Sequence, residues 1–301
     1  MIKPATIRGL LPPLLLGPIR RIVRAVSIGR YQYGRKVPLT LGYGAYKARE
    51  IDAILRSPER MQPFLRQEAL PDGYGRLLDE RIAEYPWCFA RIPAGRAAIL
   101  DAGSILNQEY LLDQPLLRNK QLTILTLAPE DECHWQRGIS YLYGDLRDIP
   151  ARDGQFDTIV CLSTLEHVGC DNSAYTGDAT QAEHRPDDFR GVMAELRRVL
   201  ATGGTLLLSV PYGKYAHLGS FQQFDAALLG QAIEAFGPAT ASITYYRYTA
   251  AGWRIATAEE CRDAEYVAWR MQNPLPSPLP VEPDRAVAAR AVACVELRRN
   301  A

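Results

Sequence analysis

Four side chains close together in the chain have the types and spacing to do chemistry: Asp145, Ser163, Glu166 and His167. His167 is the one whose ordinary pKa lies near neutrality, which suits it to take a proton from a hydroxyl group. The two carboxylates accept hydrogen bonds, and the serine both donates and accepts. Each stands just after a short apolar run. Gly144-Asp145 closes the run 139–143, and Ser163-Thr164 followed by Glu166-His167 closes the run 158–162. Both runs are rich in β-branched or aromatic residues, as in buried parallel strands, and in open α/β sheets ligands bind at the carboxyl ends of such strands. The link between them, with Pro150 and Gly154, is too short for a full crossover helix.

Other elements must position this group. Residues 97–103, AAILDAG, read as a first strand entering a tight turn that continues through Ser104 and Asn107. Residues 121–127 read as a second strand and 205–210 as a fifth. Before the fifth, Phe189, Val192, Met193, Leu196, Val199 and Leu200 make one apolar helical face that Asp187 or Asp188 caps and Gly203-Gly204 stops. A helix at 224–236 and a strand at 242–248 follow. The stretch 252–269 reads as an insertion near the substrate, 273–283 with its five prolines as a stiff connector, and 286–298 as the closing strand. Residues 169–186 are long, polar and unpatterned, the mark of a lid or binding loop. Ahead of the sheet, residues 1–94 are expected to form an apolar and basic segment and a helical cap, with helices at 46–55 and at 75–92, the second kinked at Pro86. Residues 95–301 then form the main domain.

The spaced elements Gly144-Asp145, Ile149-Pro150, Phe156-Asp157, 159–162 and Glu166-His167 together resemble the type 11 branch of the class I S-adenosylmethionine (SAM)-dependent methyltransferases. The run ELRRVLATGGTLLLSVP at 195–211 is similar to the same family. The resemblance is clear over about residues 95–212. It implies an α/β fold: a Rossmann-like seven-stranded methyltransferase sheet with helices on both faces, here with an N-terminal helical extension. It implies SAM as cofactor, held by Asp101, Gly103, Ser104, Asn107, Thr126, Leu127, Asp145, Leu146 and Ser163, with Asp145 near the adenine amino group and Leu146 against the ring. The chain departs from the family twice. Of the loop glycines only Gly103 remains, and Thr126 stands where an acid grips the ribose. Either Glu130 swings in to replace that acid, or ribose binding is weaker. His167 is the candidate general base, or else it holds the loop. His217, Tyr212 and Asp171 rank behind it.

Composition sets further bounds. A net charge of +1 gives no global basic field for nucleic acid. His134, His184 and His217 are scattered without metal-ligand spacing, and the six cysteines include no CxxC pair. That usage fits a reducing cytoplasm, with Cys161 and Cys294 as small core residues. No dinucleotide fingerprint, P-loop or nucleophile elbow is present. Residues 9–24 combine an apolar run, broken by Pro12 and Pro13, with Arg20, Arg21 and Arg24. They read either as a packing segment or as a peripheral foothold at the inner face of the membrane. Two functions remain open at this point. One is a methyltransferase acting on a small or carbohydrate or glycolipid acceptor, a look common in bacterial surface-polysaccharide synthesis. The other is a non-catalytic scaffold with a degenerate cofactor site.

Overall fold

The computed structural model describes residues 13–130, 132–272 and 275–300, with the backbone alone along 13–21 and at Met271. Four helices open the chain: α1 (Pro13–Tyr33), α2 (Tyr43–Leu55), α3 (Pro58–Arg66) and α4 (Arg81–Phe89). Pro13 opens α1, where no intrahelical donor is needed, and Pro18 lies within the helix. The earlier part of the 9–24 segment lies outside the described residues. The helix expected over 46–55 is α2, which starts three residues earlier and ends at Leu55, and Pro58 begins α3, where the Ser57 hydroxyl caps it by accepting from the Arg60 amide. The helix expected over 75–92 begins only at Arg81, since Leu77 adopts a φ of +68° that no helix accommodates. Pro86 lies within it.

The sheet begins with β1 (Ala97–Ala102), β2 (Lys120–Thr126), β3 (Ser140–Tyr143), β4 (Phe156–Leu162) and β5 (Leu200–Pro211), all parallel to one another. A small antiparallel pair follows, β6 (Ala216–His217) with β7 (Gln222–Gln223). Then come β8 (Ala239–Thr249), β9 (Gly252–Ala256) and β10 (Ala291–Arg299). The order across the sheet is β3-β2-β1-β4-β5-β10-β8-β9. β10 runs antiparallel between β5 and β8. Seven of these strands are those the resemblance implies. β9, from the stretch read as an insertion, pairs with β8 and adds an eighth at the edge. The closing strand starts at Ala291, later than the composition of 286–298 indicated.

Strand residues alternate between two cores, the period of two that a pleated strand imposes. On one face Ile159, Cys161, Leu206, Leu208 and Val295 meet Val192, Met193, Leu196 and Leu229 of α5 (Phe189–Val199) and α6 (Ala226–Phe236). On the other Ile99, Val160, Leu207 and Cys294 meet Ile51, Ile54, Phe64, Ile82 and Trp87 from the N-terminal helices. These helices are thus a covering layer of the sheet, continuous with its core. Burying each such aliphatic side chain contributes about 1.5–3 kcal/mol. All six cysteines are free, and Cys161 and Cys294 are buried.

The N-terminal layer is also stitched to the sheet edge. The Trp253 amide donates to the Tyr74 carbonyl at 2.8 Å, and its indole N–H to the Leu78 carbonyl at 3.0 Å. Gly252 takes a φ of +115°, and a Cβ there would run into the Tyr74 carbonyl oxygen. Gly252→Ala is therefore expected to cost about 1–3 kcal/mol, through strain or through loss of this stitch, as a lower urea midpoint.

Candidate functional site

Parallel order reverses between β1 and β4, and ligands bind in the crevice at such a switch point. A cavity of about 460 Å³ opens there, within the range for small-molecule sites. Gly103, Thr126, Leu127, Asp145, Leu146, Ser163 and His167 all line it, so strand ends far apart in sequence bring these expected residues together. Asp101, Ser104 and Asn107 are not among the lining residues. Both carboxylate oxygens of Asp101 are used inside the turn, accepting from the Ile105 and Leu106 amides at 3.1 and 2.7 Å. Burial pushes that carboxyl up to about 7. Asn107 likewise turns inward, donating to the Glu132 carbonyl and accepting from the Tyr141 hydroxyl. Glu130 does not line the cavity either.

The turn itself fits a close-lying ligand. Gly103 has a φ of +121°, and a side chain there would collide with Thr164. Ser104 holds a φ of +61°, a conformation a glycine adopts without strain, and its buried hydroxyl has no hydrogen-bond partner. The glycine turn at Gly103 and the acceptor carboxylate at the end of β3 both line the cavity and fit an adenosyl group, whereas the Ser104 hydroxyl lies buried beneath the turn.

Asp145 is not an isolated carboxylate. Arg147 grips it from its Nε at 3.0 Å and from Nη2 at 2.5 Å. The same guanidinium reaches Glu183 and Asp188 of the following loop at 2.9 and 2.7 Å. Burial opposes the Asp145 charge, but the Arg147 hydrogen bonds win and hold it below the usual carboxylate range. The loop expected as a lid does cover the cavity. Its base closes where the Arg185 amide donates to the Gly169 carbonyl at 2.7 Å, and Gly169 has no room for a Cβ against Arg185. Asp171, Asn172, Tyr175, Gln181 and Glu183 of this loop face the cavity.

The His167 Nδ1 lies 2.8 Å from the Ser220 carbonyl. A carbonyl only accepts, so Nδ1 carries the proton and Nε2 of the neutral ring carries the lone pair. Burial lowers its pKa below the ordinary value of 6.5, which favours that neutral ring. Tyr212 is buried against Tyr245, and His217 lies outside the lining, with its Nε2 3.9 Å from the Cys170 sulfur.

Beneath Ser163 lies a group that no local pattern announces. Glu84 of α4 is fully buried. Its Oε1 accepts from the Ser163 and Ser209 hydroxyls at 2.7 Å each, and Oε2 pairs with Arg81 at 2.6 Å. Beside it Glu166 is buried with one oxygen unpartnered, and burial raises its pKa well above normal. Among the described residues no group of three or more His, Cys, Asp or Glu is placed to hold a metal ion, and no helix is long and apolar enough to cross a membrane.

Comparison with known proteins gives a match to part of the chain. Residues 118–208 match the type 11 model of the methyltransferase domain. No curated protein matches the chain. Among solved structures, the chain is similar to the Burkholderia thailandensis 1,6-didemethyltoxoflavin-N1-methyltransferase with bound 1,6-didemethyltoxoflavin and S-adenosylhomocysteine, at 15% identity and a TM-score of 0.43, over 97% of this chain and 92% of that one. It is also similar to an N-methyltransferase of Bradyrhizobium japonicum in complex with S-adenosylhomocysteine, at 14% identity and a TM-score of 0.41, over 84% and 98%.

The Glu84 arrangement yields a direct test. Glu84→Ala leaves Arg81 largely buried without its partner and frees two serine hydroxyls, and is expected to destabilise the protein by about 3–5 kcal/mol in urea unfolding.

Proposed function

We propose that the chain, whose residues 118–208 match a methyltransferase-domain model, is an S-adenosylmethionine-dependent methyltransferase that methylates a hydroxyl of a small, carbohydrate or glycolipid acceptor. The observation that supports this reading is the single cavity that gathers Gly103, Thr126, Asp145 and Ser163 on one side and His167 with the polar lid on the other. Bound there, the cofactor supplies an electrophilic methyl group. Gly103 lets the backbone approach it, and Leu146 offers an apolar surface. Asp145 stands as an acceptor whose charge Arg147 maintains. On the acceptor side, Asp171, Asn172 and Gln181 offer the polar contacts a hydroxylated molecule needs. His167 Nε2 takes the hydroxyl proton, while the Ser220 carbonyl fixes the ring's orientation. The lid keeps water out as this happens.

Calorimetric titration with SAM and with its demethylated product tests the reading at its root: absence of binding by either overturns it. His167→Ala is expected to leave cofactor affinity nearly intact and to cut turnover by roughly 10²–10⁴-fold. Because burial depresses the His167 pKa, the active neutral form predominates above pH 6.5. Turnover in the wild type should therefore be flat through neutrality and fall as acid protonates the ring, at a pH below 6.5. Full activity in His167→Asn would instead leave the histidine holding the loop.

The reading extends to location, with the enzyme working in the cytoplasm on surface-glycan precursors at the inner face of the membrane. Ile22, Val23 and Val26 of α1 are exposed, whereas Ile28 and Tyr31 are buried. The first 49 residues contain ten lysines and arginines and no acid, although the whole chain is nearly neutral. An apolar strip within a cationic segment suits an anionic bilayer. The protein is expected to co-sediment with vesicles containing anionic lipid and to be released by salt. Equal recovery in the supernatant with and without vesicles would remove the membrane contact and leave the catalytic reading untouched.

A further inference from the structure

Thr126 ends β2 in a position where its relatives' resemblance calls for a carboxylate, and the structure shows what stands opposite it. The Thr126 hydroxyl is buried and lies 3.2 Å from the Ala128 carbonyl and 3.0 Å from the Tyr175 hydroxyl. The carbonyl can only accept, so Thr126 donates to Ala128 and Tyr175 donates to Thr126. That leaves the lone pairs of the phenol oxygen for a further donor. Tyr175 comes from the lid, is 58% exposed, and lines the cavity. A side chain so exposed is not placed there by core packing.

The acids that line the cavity are Asp145 at the end of β3 and Asp171 and Glu183 of the lid, so none comes from β2 or the turn after it. Asp145 and Glu183 are held by Arg147, and Asp171 accepts from the Ser173 amide and hydroxyl. At the β2 end, therefore, polar recognition falls to two hydroxyls, one from the sheet and one from the lid. A ribose diol needs acceptors for its two O–H groups, and a hydroxyl pair supplies them in neutral form. Resting on the methyltransferase reading, we propose that Tyr175 and Thr126 together grip the ribose of the cofactor, so that lid and sheet share a contact that a strand-end carboxylate would otherwise make alone. Cofactor recognition and lid position are then one event: a lid displaced from the cavity gives up half of the ribose site.

The test uses the full chain and reads binding rather than turnover. Calorimetry is performed with S-adenosylhomocysteine and with its counterpart lacking both ribose hydroxyls, on the wild type and on Tyr175→Phe. The substitution removes one oxygen from an exposed side chain, and an unchanged melting temperature verifies the fold. Tyr175→Phe is expected to weaken S-adenosylhomocysteine binding roughly 3- to 10-fold, the range for one neutral hydrogen bond. The loss on removing the ribose hydroxyls should be smaller in Tyr175→Phe than in the wild type, because the two changes delete the same contact. Two results would overturn the proposal: unchanged or tighter binding by Tyr175→Phe, which would make the tyrosine a plug that the cofactor expels, or equal losses in both proteins. Failure of the wild type to bind S-adenosylhomocysteine at all would instead remove the methyltransferase reading on which the proposal stands.

Discussion

The buried carboxylate of Glu84 is the contact on which the arrangement of the site depends. It reaches from the N-terminal layer to the carboxyl ends of β4 and β5, where it collects two serine hydroxyls and one guanidinium. A carboxylate in that position is costly unless every lone pair is used, and here its oxygens have Ser163, Ser209 and Arg81. Ser163 in turn holds a φ of +40°, a strained conformation for a residue with a side chain, and its hydrogen bond to Glu84 helps to fix it. The turn after β4, with Thr164 and His167, departs from that residue. Helices that look like an accessory to the sheet therefore set the geometry of its reactive end.

A second constraint works across the cavity. Arg147 ties the Asp145 side of the pocket to Glu183 and Asp188, so the lid is anchored by charge at its C-terminal end, beside the Gly169–Arg185 contact that closes its base. The same contact has two effects. It keeps Asp145 ionised, and it occupies the carboxylate edges that a ligand's amino group would use.

Much of this was legible in the sequence, and for physical reasons. β1, β4 and the second half of β5 are buried on both faces, so they appear as apolar runs, while edge strand β3 is only partly covered and shows through its aromatic residues; the strand ends appear as Gly144-Asp145 and Ser163-Thr164. The face of α5 appears at helical spacing because every one of Phe189, Val192, Met193, Leu196 and Val199 is buried. What stayed hidden was long-range or conformational. Glu84 is one acid in an amphipathic helix until the fold carries it to serines that lie 79 and 125 residues away. Tyr175 is one aromatic in a polar loop, and Arg147 a charge in a turn. Asp101 and Asn107 matched a cofactor loop by position, but backbone amides and Tyr141 claim their polar atoms. β9 is too short to stand out from the stretch around it, and only its pairing with β8 identifies it.

The edge stitch at Trp253 has a consequence for how the chain is made. Its indole meets Leu78 across 175 residues of intervening sequence. A ribosome adding roughly 5–20 residues per second needs on the order of ten to thirty seconds to supply that partner. During this interval the N-terminal helices exist without the sheet face they cover, and Phe64, Ile82 and Trp87 have no finished surface to pack on. A layer made before the sheet is thus completed only after it. A nascent chain stalled or cleaved before β9 would present that apolar layer to chaperones and to other chains.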